Sequence, residues 1–263
     1  MVDFVSKLKY TVYDLQRLMK MLRDPEGCPW DAEQTHESIR RNLLEEAYEA
    51  AEAIDVGDPE YLCEELGDVL MQVVFHADIE ERLGNFSLDD VADAACKKLI
   101  RRHPHIFGNA GAKDSAEVLE NWENIKSEER KHETVSDEMR AVAHSLPALW
   151  RAEKVQGKAA KVGFDWTDYS GALDALKSEI IELEEATVNG ENVAEELGDL
   201  IFSAVNLARF FSIDPEEALG RTTEKFITRF SKMENKAAKL GQRPENMTLE
   251  EMDKLYNQAK LEE

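Results

Sequence analysis

Apolar residues recur at helical spacing along most of the chain, with polar residues between them. In the first half this pattern predicts helices over about residues 4–23, 36–56, 58–84, 87–103 and 115–131. Asp58-Pro59 and Asp214-Pro215 are typical of an N-cap followed by a first-turn proline, and Ser87 begins a sequence that resembles a capping box. We find no convincing run of strand alternation. The pattern therefore predicts an all-α fold.

An internal repeat organises the chain. Leu44-Glu-Glu-Ala-Tyr-Glu49, followed by Glu64-Glu-Leu-Gly-Asp68, is echoed by Lys177-Ser-Glu-Ile-Ile-Glu182, followed by Glu195-Glu-Leu-Gly-Asp199. Further blocks match in the same order: Gly27-Cys-Pro-Trp30 with Gly163-Phe-Asp-Trp166, Lys98-Leu-Ile-Arg-Arg102 with Lys225-Phe-Ile-Thr-Arg229, and Trp122-Glu-Asn-Ile-Lys126 with Tyr256-Asn-Gln-Ala-Lys260. Residues 133–145 lack a clear apolar period and are our candidate linker. We therefore predict two duplicated helical-bundle modules, 1–135 and 136–263.

The charge balance excludes several classes of partner. The 263 residues carry a formal net charge of -23, with 43% hydrophobic and 33% charged residues. So acidic a chain lacks the basic footprint of a nucleic-acid-binding protein, and we do not expect it to bind an anionic membrane. No apolar run approaches the roughly 18 residues that a membrane helix needs, and residues 1–10 contain no signal-peptide core. Three widely spaced cysteines also fit a reducing cytoplasm.

Pairs of carboxylates at helical spacing stand beside apolar positions in both halves. At about 100° per residue, Glu46 and Glu49 lie on one helix face, whereas Glu45 points away from it. Glu65 and Asp68 have the same spacing on the next helix, so an antiparallel hairpin would bring four carboxylates together at its seam. The second half repeats the arrangement with Glu179, Glu182, Glu196 and Asp199. The apolar positions expected to pack beside these carboxylates include Ile54, Leu66, Ile180 and Leu197.

Four like charges at a helix seam repel one another strongly unless a counter-charge is present. Mg2+ or Mn2+ supplies one, because these cations prefer oxygen ligands and leave coordination positions for water and phosphate oxygens. Such an ion can bridge phosphates, neutralise developing charge and lower the pKa of a bound water. The chain has no Gly-rich phosphate loop and no convincing nucleophile–base pair, so we expect water as the nucleophile. Solvated acidic helix faces are the alternative interpretation of a single Glu-x-x-Glu pair.

The pattern Glu-Glu-x-x-Glu, a short gap and Glu-x-x-Asp resembles the MazG family of nucleoside triphosphate pyrophosphohydrolases. The segments 23–31, 101–105, 122–130 and 163–166 also resemble that family. The resemblance implies all-α modules, usually dimeric, that use Mg2+ to split triphosphates between the α and β phosphates. Carried over by position, it implies the metal ligands Glu46, Glu49, Glu65, Asp68, Glu179, Glu182, Glu196 and Asp199. The second half departs from the pattern at Ser178, where the first Glu of the motif would stand.

Candidate substrate residues lie in the late helices of each half. Basic residues there could hold the β and γ phosphates, and Trp122 and Tyr256 could stack on a base; surface charge and core packing are the alternatives. The candidate substrate residues are Lys98, Arg102, Trp122, Lys126, Lys225, Arg229 and Tyr256. For Trp30 and Trp166 we expect core packing.

These observations together predict a homodimeric enzyme that hydrolyses NTP or dNTP to the monophosphate and pyrophosphate, with broad base specificity. Glu46, Glu49, Glu179 and Glu182 are the candidate catalytic carboxylates for activating water. The second half is the favoured catalyst. One alternative is a narrower dUTPase-like or phosphoribosyl-ATP pyrophosphohydrolase-like enzyme. The other is a non-enzymatic acidic helical protein that binds metal or a partner.

Overall fold

All regular structure in the described part of the chain is helical. The computed structural model describes residues 4, 6–109, 111–130 and 133–262, and the side chains of all of these except residues 120, 124, 127, 128 and 130. The chain divides into two compact units, Met1–Glu129 and Arg130–Glu263. None of the described helices combines the length and the apolar character that crossing a membrane would require.

The first unit is built around a hairpin of two long helices. Its elements are α1 (Val12–Leu22), α2 (Pro29–Glu33), α3 (His36–Val56), α4 (Pro59–Leu83), α5 (Leu88–Arg102), α6 (Pro104–Phe107) and α7 (Ser115–Arg130). Helices α3 and α4 pack against each other, and α1 packs on α4. Their shared core consists of Met19, Ile39, Val74, Phe75 and Ile79.

The second unit repeats this plan. Its elements are α8 (Val135–Arg140), α9 (Ala148–Lys161), α10 (Tyr169–Asn189), α11 (Val193–Phe210), α12 (Pro215–Lys239), a 3-10 turn (Pro244–Asn246) and α13 (Leu249–Lys260). Helices α10 and α11 form the hairpin, α9 packs on α11, and α13 packs on α12. The core between α12 and α13 contains Met233, Ala237 and Leu255. Two packed hairpins confirm the tandem all-α arrangement, while the boundary at 135 and 136 stays a prediction.

The predicted helix boundaries are confirmed where a cap or a glycine sets them. The side chains of Asp58 and Asp214 accept backbone N–H bonds at the starts of α4 and α12, and a proline follows each. Gly57 and Gly190 end α3 and α10 with φ values of 73° and 72°, a left-handed conformation that glycine adopts at little cost. His103 ends α5, as expected.

Two boundary predictions were wrong. Helix α1 begins at Val12 rather than near residue 4, because Thr11 and Asp14 form a capping box that fixes its first turn. The candidate linker 133–145 contains α8, whose N-cap Thr134 accepts a bond from the Asp137 backbone N–H at 3.1 Å. A helix of six residues is too short to display an apolar period, and the same reason hid α2 and α6.

The apolar positions beside the carboxylates are less buried within the chain than expected. Ile54 is 62% exposed and Leu66 is 52% exposed. In the second unit, Leu197, which corresponds to Leu66, is 46% exposed, and Ile180 is 44% exposed. The buried residues of the two hairpins instead include Val74 and Val205, which occupy the same position in the repeat. Each unit therefore presents an apolar helix face on its surface beside the acidic residues.

Candidate active site

The two hairpins gather the predicted carboxylates into a cluster in each unit. In the first, one oxygen from each of Glu46, Glu49 and Glu65 lies within 4.8 Å of the others. In the second, one oxygen from each of Glu179, Glu196 and Asp199 likewise lies within 4.8 Å of the others. Asp68 and Glu182 lie outside these tight groups but act on them electrostatically. The structure thus brings together six of the eight predicted ligands and places the other two nearby.

In the first unit, the environment disfavours ionised carboxylates. Burial raises the pKa of Glu65 above its usual value, and the charges of Glu49 and Asp68 raise it further. Burial also raises the pKa of Glu46, followed in effect by the charge of Asp68. Glu65 is only 8% exposed, and its Oε2 is buried with no hydrogen-bond partner among the described residues. An unpartnered carboxylate oxygen inside an acidic cluster is the arrangement that a hard cation would satisfy.

The second cluster has the same electrostatic character. Burial raises the pKa of Glu196 and of Glu179, and in both cases the charge of Glu182 is the next cause. The Ser203 side chain hydrogen-bonds to Glu179 and partly offsets this rise in pKa. Two clusters that both resist full ionisation are therefore suited to a divalent cation.

The departure at Ser178 changes the surroundings of the second cluster. The Ser178 hydroxyl donates a hydrogen bond to Glu182 Oε1 at 3.0 Å. Its first-unit counterpart, Glu45, points away from the cluster and accepts a 2.7 Å bond from Arg41. The loss of the first motif Glu therefore removes none of the clustered oxygens, and the replacement contacts a predicted ligand directly.

A cavity of about 590 Å3 adjoins the second cluster. Helices α8 to α11 and the turn 163–166 form its walls, which include the aromatic side chains of Phe164, Trp166 and Phe202. Glu179 lines the cavity and also belongs to the carboxylate cluster. The volume lies within the roughly 300–1,000 Å3 range of small-molecule sites. A ligand in this cavity can therefore reach the clustered carboxylates.

Polar side chains also line the cavity. Arg209 Nη2 donates to Asp165 Oδ1 at 2.6 Å and to Asn206 Oδ1 at 2.8 Å. Gln156 Nε2 donates to the backbone carbonyl of Phe202 at 2.8 Å. Gln156 Oε1 and Arg209 Nε are buried and have no hydrogen-bond partner in the described chain. Sequence reasoning missed these residues because it compared positions that the two halves share, and Asn206 and Arg209 differ from their first-half counterparts.

The first unit fills the matching position with its own side chains. When Asp68 is aligned with Asp199, Phe75 stands in place of Asn206 and Asp78 in place of Arg209. Arg23 Nε donates to Asp78 Oδ2 at 2.7 Å, and its guanidinium carbon lies 4.7 Å from the centre of the Phe75 ring. All three residues are at most 8% exposed. Both modules therefore have the carboxylates, but the polar cavity wall of the second module corresponds to buried side chains in the first.

In the first unit, the candidate substrate residues contact one another. Arg102 Nη2 lies 2.6 Å from Glu129 Oε2, and the guanidinium carbon lies 5.0 Å from the centre of the Trp122 ring. Lys126 Nζ lies 4.6 Å from the same ring centre. Lys98 is exposed on α5. The ring of Trp122 is thus already in contact with two cations, and its stacking on a base stays a prediction.

The second-unit candidates lie on α12 and α13. Lys225 is exposed and Arg229 is half-buried. Tyr256 packs beside the α12–α13 core, with its ring centre 5.8 Å from that of Phe226. The phosphate-binding and stacking roles of these residues stay predictions.

The tryptophans of the two glycine-containing turns are not core residues. Trp30 is 60% exposed and Trp166 is 50% exposed, so the expectation of core packing was wrong. The indole of Trp166 instead borders the cavity. A Cβ atom at Gly171 would lie 2.8 Å from this ring, so the glycine allows the indole to pack against the first turn of α10. The turn thereby holds an aromatic surface beside the carboxylates.

Both clusters fall inside segments that match known proteins. A model of the MazG nucleotide pyrophosphohydrolase domain matches residues 34–107 and 168–233. A Thermotoga maritima protein named nucleoside triphosphate pyrophosphohydrolase/pyrophosphatase MazG is 44% identical over 247 residues, which cover 94% of each chain. An Escherichia coli K12 protein named nucleoside triphosphate pyrophosphohydrolase is 43% identical over 254 residues, which cover 95% of this chain and 97% of the relative. The duplicated acidic hairpins are two MazG domains, and the chain belongs to the MazG family of nucleotide pyrophosphohydrolases.

Proposed function

We propose that this protein is a Mg2+-dependent cytoplasmic enzyme that hydrolyses NTP or dNTP, ATP included, to the monophosphate and pyrophosphate, with broad base specificity. The observation that carries the proposal is the gathering of Glu179, Glu196 and Asp199 beside a cavity large enough for a small molecule. Membership of the MazG family supports the same reaction class.

The chemistry of the clustered side chains suits magnesium. Carboxylate oxygens are the ligands that this cation prefers, and the buried Glu65 Oε2, which has no hydrogen-bond partner among the described residues, supports the proposal. Mg2+ bound at such a cluster supplies positive charge that offsets the charge of the phosphate chain. The residues that would hold it are Glu46, Glu49, Glu65 and Asp68 in the first module, and Glu179, Glu182, Glu196 and Asp199 in the second. Mn2+ is the expected substitute.

The proposed reaction is attack of water on the α phosphorus. A clustered carboxylate accepts a proton from the water, the new P–O bond forms, and the bond from the α phosphorus to the bridging oxygen breaks. Glu179 and Glu182 are the candidates for this base in the second module, and Glu46 and Glu49 are those of the first. Basic side chains on α12, Lys225 among them, would receive the departing pyrophosphate.

The products of ATP hydrolysis test the site of cleavage. Ion-exchange chromatography of early time points should show AMP and pyrophosphate in equal amounts. Accumulation of ADP and orthophosphate without pyrophosphate would contradict the proposal even if hydrolysis required metal. A panel of ribonucleotides and deoxyribonucleotides separates broad specificity from a dUTPase-like or phosphoribosyl-ATP-specific enzyme. A non-enzymatic acidic protein would bind metal and release no pyrophosphate.

We place the main activity in the second module because its cluster opens onto the cavity through Glu179. In the first module, the side chains of Arg23, Phe75 and Asp78 fill the position that corresponds to the Asn206 and Arg209 side of the cavity. Both modules retain a carboxylate cluster, so both should bind the cation. The modules are therefore expected to differ in turnover more than in metal binding.

A second copy of the chain is the proposed occupant of the exposed apolar helix faces. Leu66 and Leu197 stand at the same position in the two hairpins and are 52% and 46% exposed. Burial of such faces between identical chains would remove apolar surface from water on both partners. Sedimentation equilibrium should therefore give twice the chain mass of 29.9 kDa. A monomer at micromolar concentration would contradict the homodimer.

A further inference from the structure

We propose that the second-module cavity holds the base of the nucleotide and reads its hydrogen-bonding edge through Asn206 and Gln156. The inference rests on the proposed function, because it assigns the cavity beside the carboxylates to the nucleoside part of the same substrate. It also makes Arg209 a positioning residue, since Arg209 acts on the base through Asn206.

The walls of the cavity suit a flat aromatic ligand. Phe164, Trp166 and Phe202 are 83%, 50% and 44% exposed, so their ring surfaces remain available. A nucleobase presents two apolar faces and a polar edge, and aromatic side chains stack on such faces with little preference for which base it is. Glu179 lies at the same cavity, which allows the phosphate end of that ligand to reach the carboxylate cluster.

The hydrogen bonds around the cavity decide which polar atoms remain for a ligand. A guanidinium group can only donate, so the atom of Asn206 that faces Arg209 is its oxygen, and its amide nitrogen is left as a donor. Gln156 uses its amide nitrogen on the Phe202 carbonyl, which leaves Oε1 as an acceptor. Gln156 is 7% exposed, and this acceptor has no partner within the described residues. The cavity thus offers one donor and one acceptor.

This pair suits every common base. The pairing edge of adenine, guanine, cytosine or uracil carries an N–H donor beside an acceptor, and only their order differs. A buried acceptor without a partner is unfavourable, so an N–H of the base would satisfy Gln156 while the Asn206 amide meets the adjoining acceptor. A site with these two groups binds bases broadly, yet it discriminates against an analogue that lacks the donor.

The first module provides an internal comparison. Phe75 and Asp78 occupy the positions of Asn206 and Arg209. Asp78 and Arg209 each form an ion pair with a residue earlier in the chain, but the two pairs have opposite arrangements of charge. Arg23 supplies the cation there, whereas Asp165 supplies the anion in the second module. Arg23, Phe75 and Asp78 are buried, and Phe75 provides no amide in place of Asn206 that could hydrogen-bond to a base.

Binding of α,β-methylene ATP in the presence of Mg2+ tests the assignment on the full chain. The bridging carbon prevents cleavage at the α phosphorus, so calorimetry reports binding even if the unaltered protein releases no pyrophosphate. Asn206→Phe, which installs the first-module residue, should weaken this binding by about 30-fold or more. Inorganic tripolyphosphate, which has no base, should bind with the same affinity to the unaltered protein and to Asn206→Phe. Phe75→Leu is the matched control and should change neither affinity.

A second variant tests the acceptor and does not depend on steric blocking. The methylene analogues of ATP and of purine riboside triphosphate differ at the base only by the exocyclic amine, and the unaltered protein should prefer the first by about tenfold. Gln156→Met should remove that preference by lowering the affinity for the ATP analogue alone.

Three results would overturn the inference. These are an unchanged preference in Gln156→Met, an equal loss of tripolyphosphate affinity in Asn206→Phe, and no binding of the ATP analogue by the unaltered chain. Failure of the proposed function would look different, because base-dependent binding would persist while ATP produced no AMP or pyrophosphate.

Discussion

Replacing Asp78 with Asn in the first module is expected to lower the stability of that module by about 3 kcal/mol. The Asp78 carboxylate is 2% exposed and accepts hydrogen bonds from Arg23 and Arg82, both at 2.7 Å. The Arg23 side chain is itself only 6% exposed, so little water can replace the lost anion. Breaking a buried ion pair costs about 3–5 kcal/mol, and the lower end applies here because Asn leaves no cavity and keeps one acceptor oxygen.

Native-state hydrogen exchange on the full chain measures the effect in each module separately. Amide protons of α4 should lose roughly a hundredfold of their protection in Asp78→Asn, while those of α11 should be unchanged. Arg41→Ala is the matched control, because the Arg41–Glu45 pair is 86% and 48% exposed and such pairs contribute only a few tenths of a kcal/mol. A decrease of less than about threefold in the protection of the α4 amides would refute the view that the buried Arg23–Asp78 ion pair stabilises this module.

Three further outcomes are expected. Excess chelator should abolish pyrophosphate release and Mg2+ or Mn2+ should restore it, whereas turnover that persists in chelator would contradict the metal requirement. Glu182→Gln should remove most turnover and Glu49→Gln should leave most of it, and the reverse result would assign catalysis to the first module. Burial raises the folded-state pKa values of Glu65 and Glu196 above the usual 4.5, so above that pH these two groups hold more protons in the folded than in the unfolded chain. Their contribution to the stability of the metal-free protein should therefore grow as the pH falls towards 4.5, and it should respond less to pH with Mg2+ present, as a melting series would show.

The helices and the carboxylate clusters could be predicted because local rules determine them. Spacing alone places Glu46 and Glu49 on one face, and the proline and glycine signals around residues 57–59 set the turn that folds α4 back on α3. The repeat then predicted the second hairpin. Where the sequence was ambiguous, as at α8 with only six residues, local rules were too weak to decide.

The cavity could not be predicted because it depends on side-chain volumes across several helices. Val155, Ala175 and Phe202 read as ordinary apolar positions, and only their packing leaves a space. Trp166 was expected in a core for a similar reason, since a tryptophan after a tight turn can face either inward or outward. The exposure of Leu66 and Leu197 likewise reflects tertiary packing that helical periodicity cannot reveal.

The two modules share the residues proposed to bind metal but differ in the residues proposed to bind the base. Metal binding depends on a few oxygens at fixed helical spacing, and both hairpins retain that spacing. Binding of the base, as proposed, depends on side chains of α11, where Asn206 and Arg209 correspond to Phe75 and Asp78 of the first module. The buried Val74 and Val205 show that the backbone register is the same in both helices, so the difference lies in the side chains. Two modules with the same acidic hairpin are therefore expected to bind the same cation and to differ in whether a base can enter beside it.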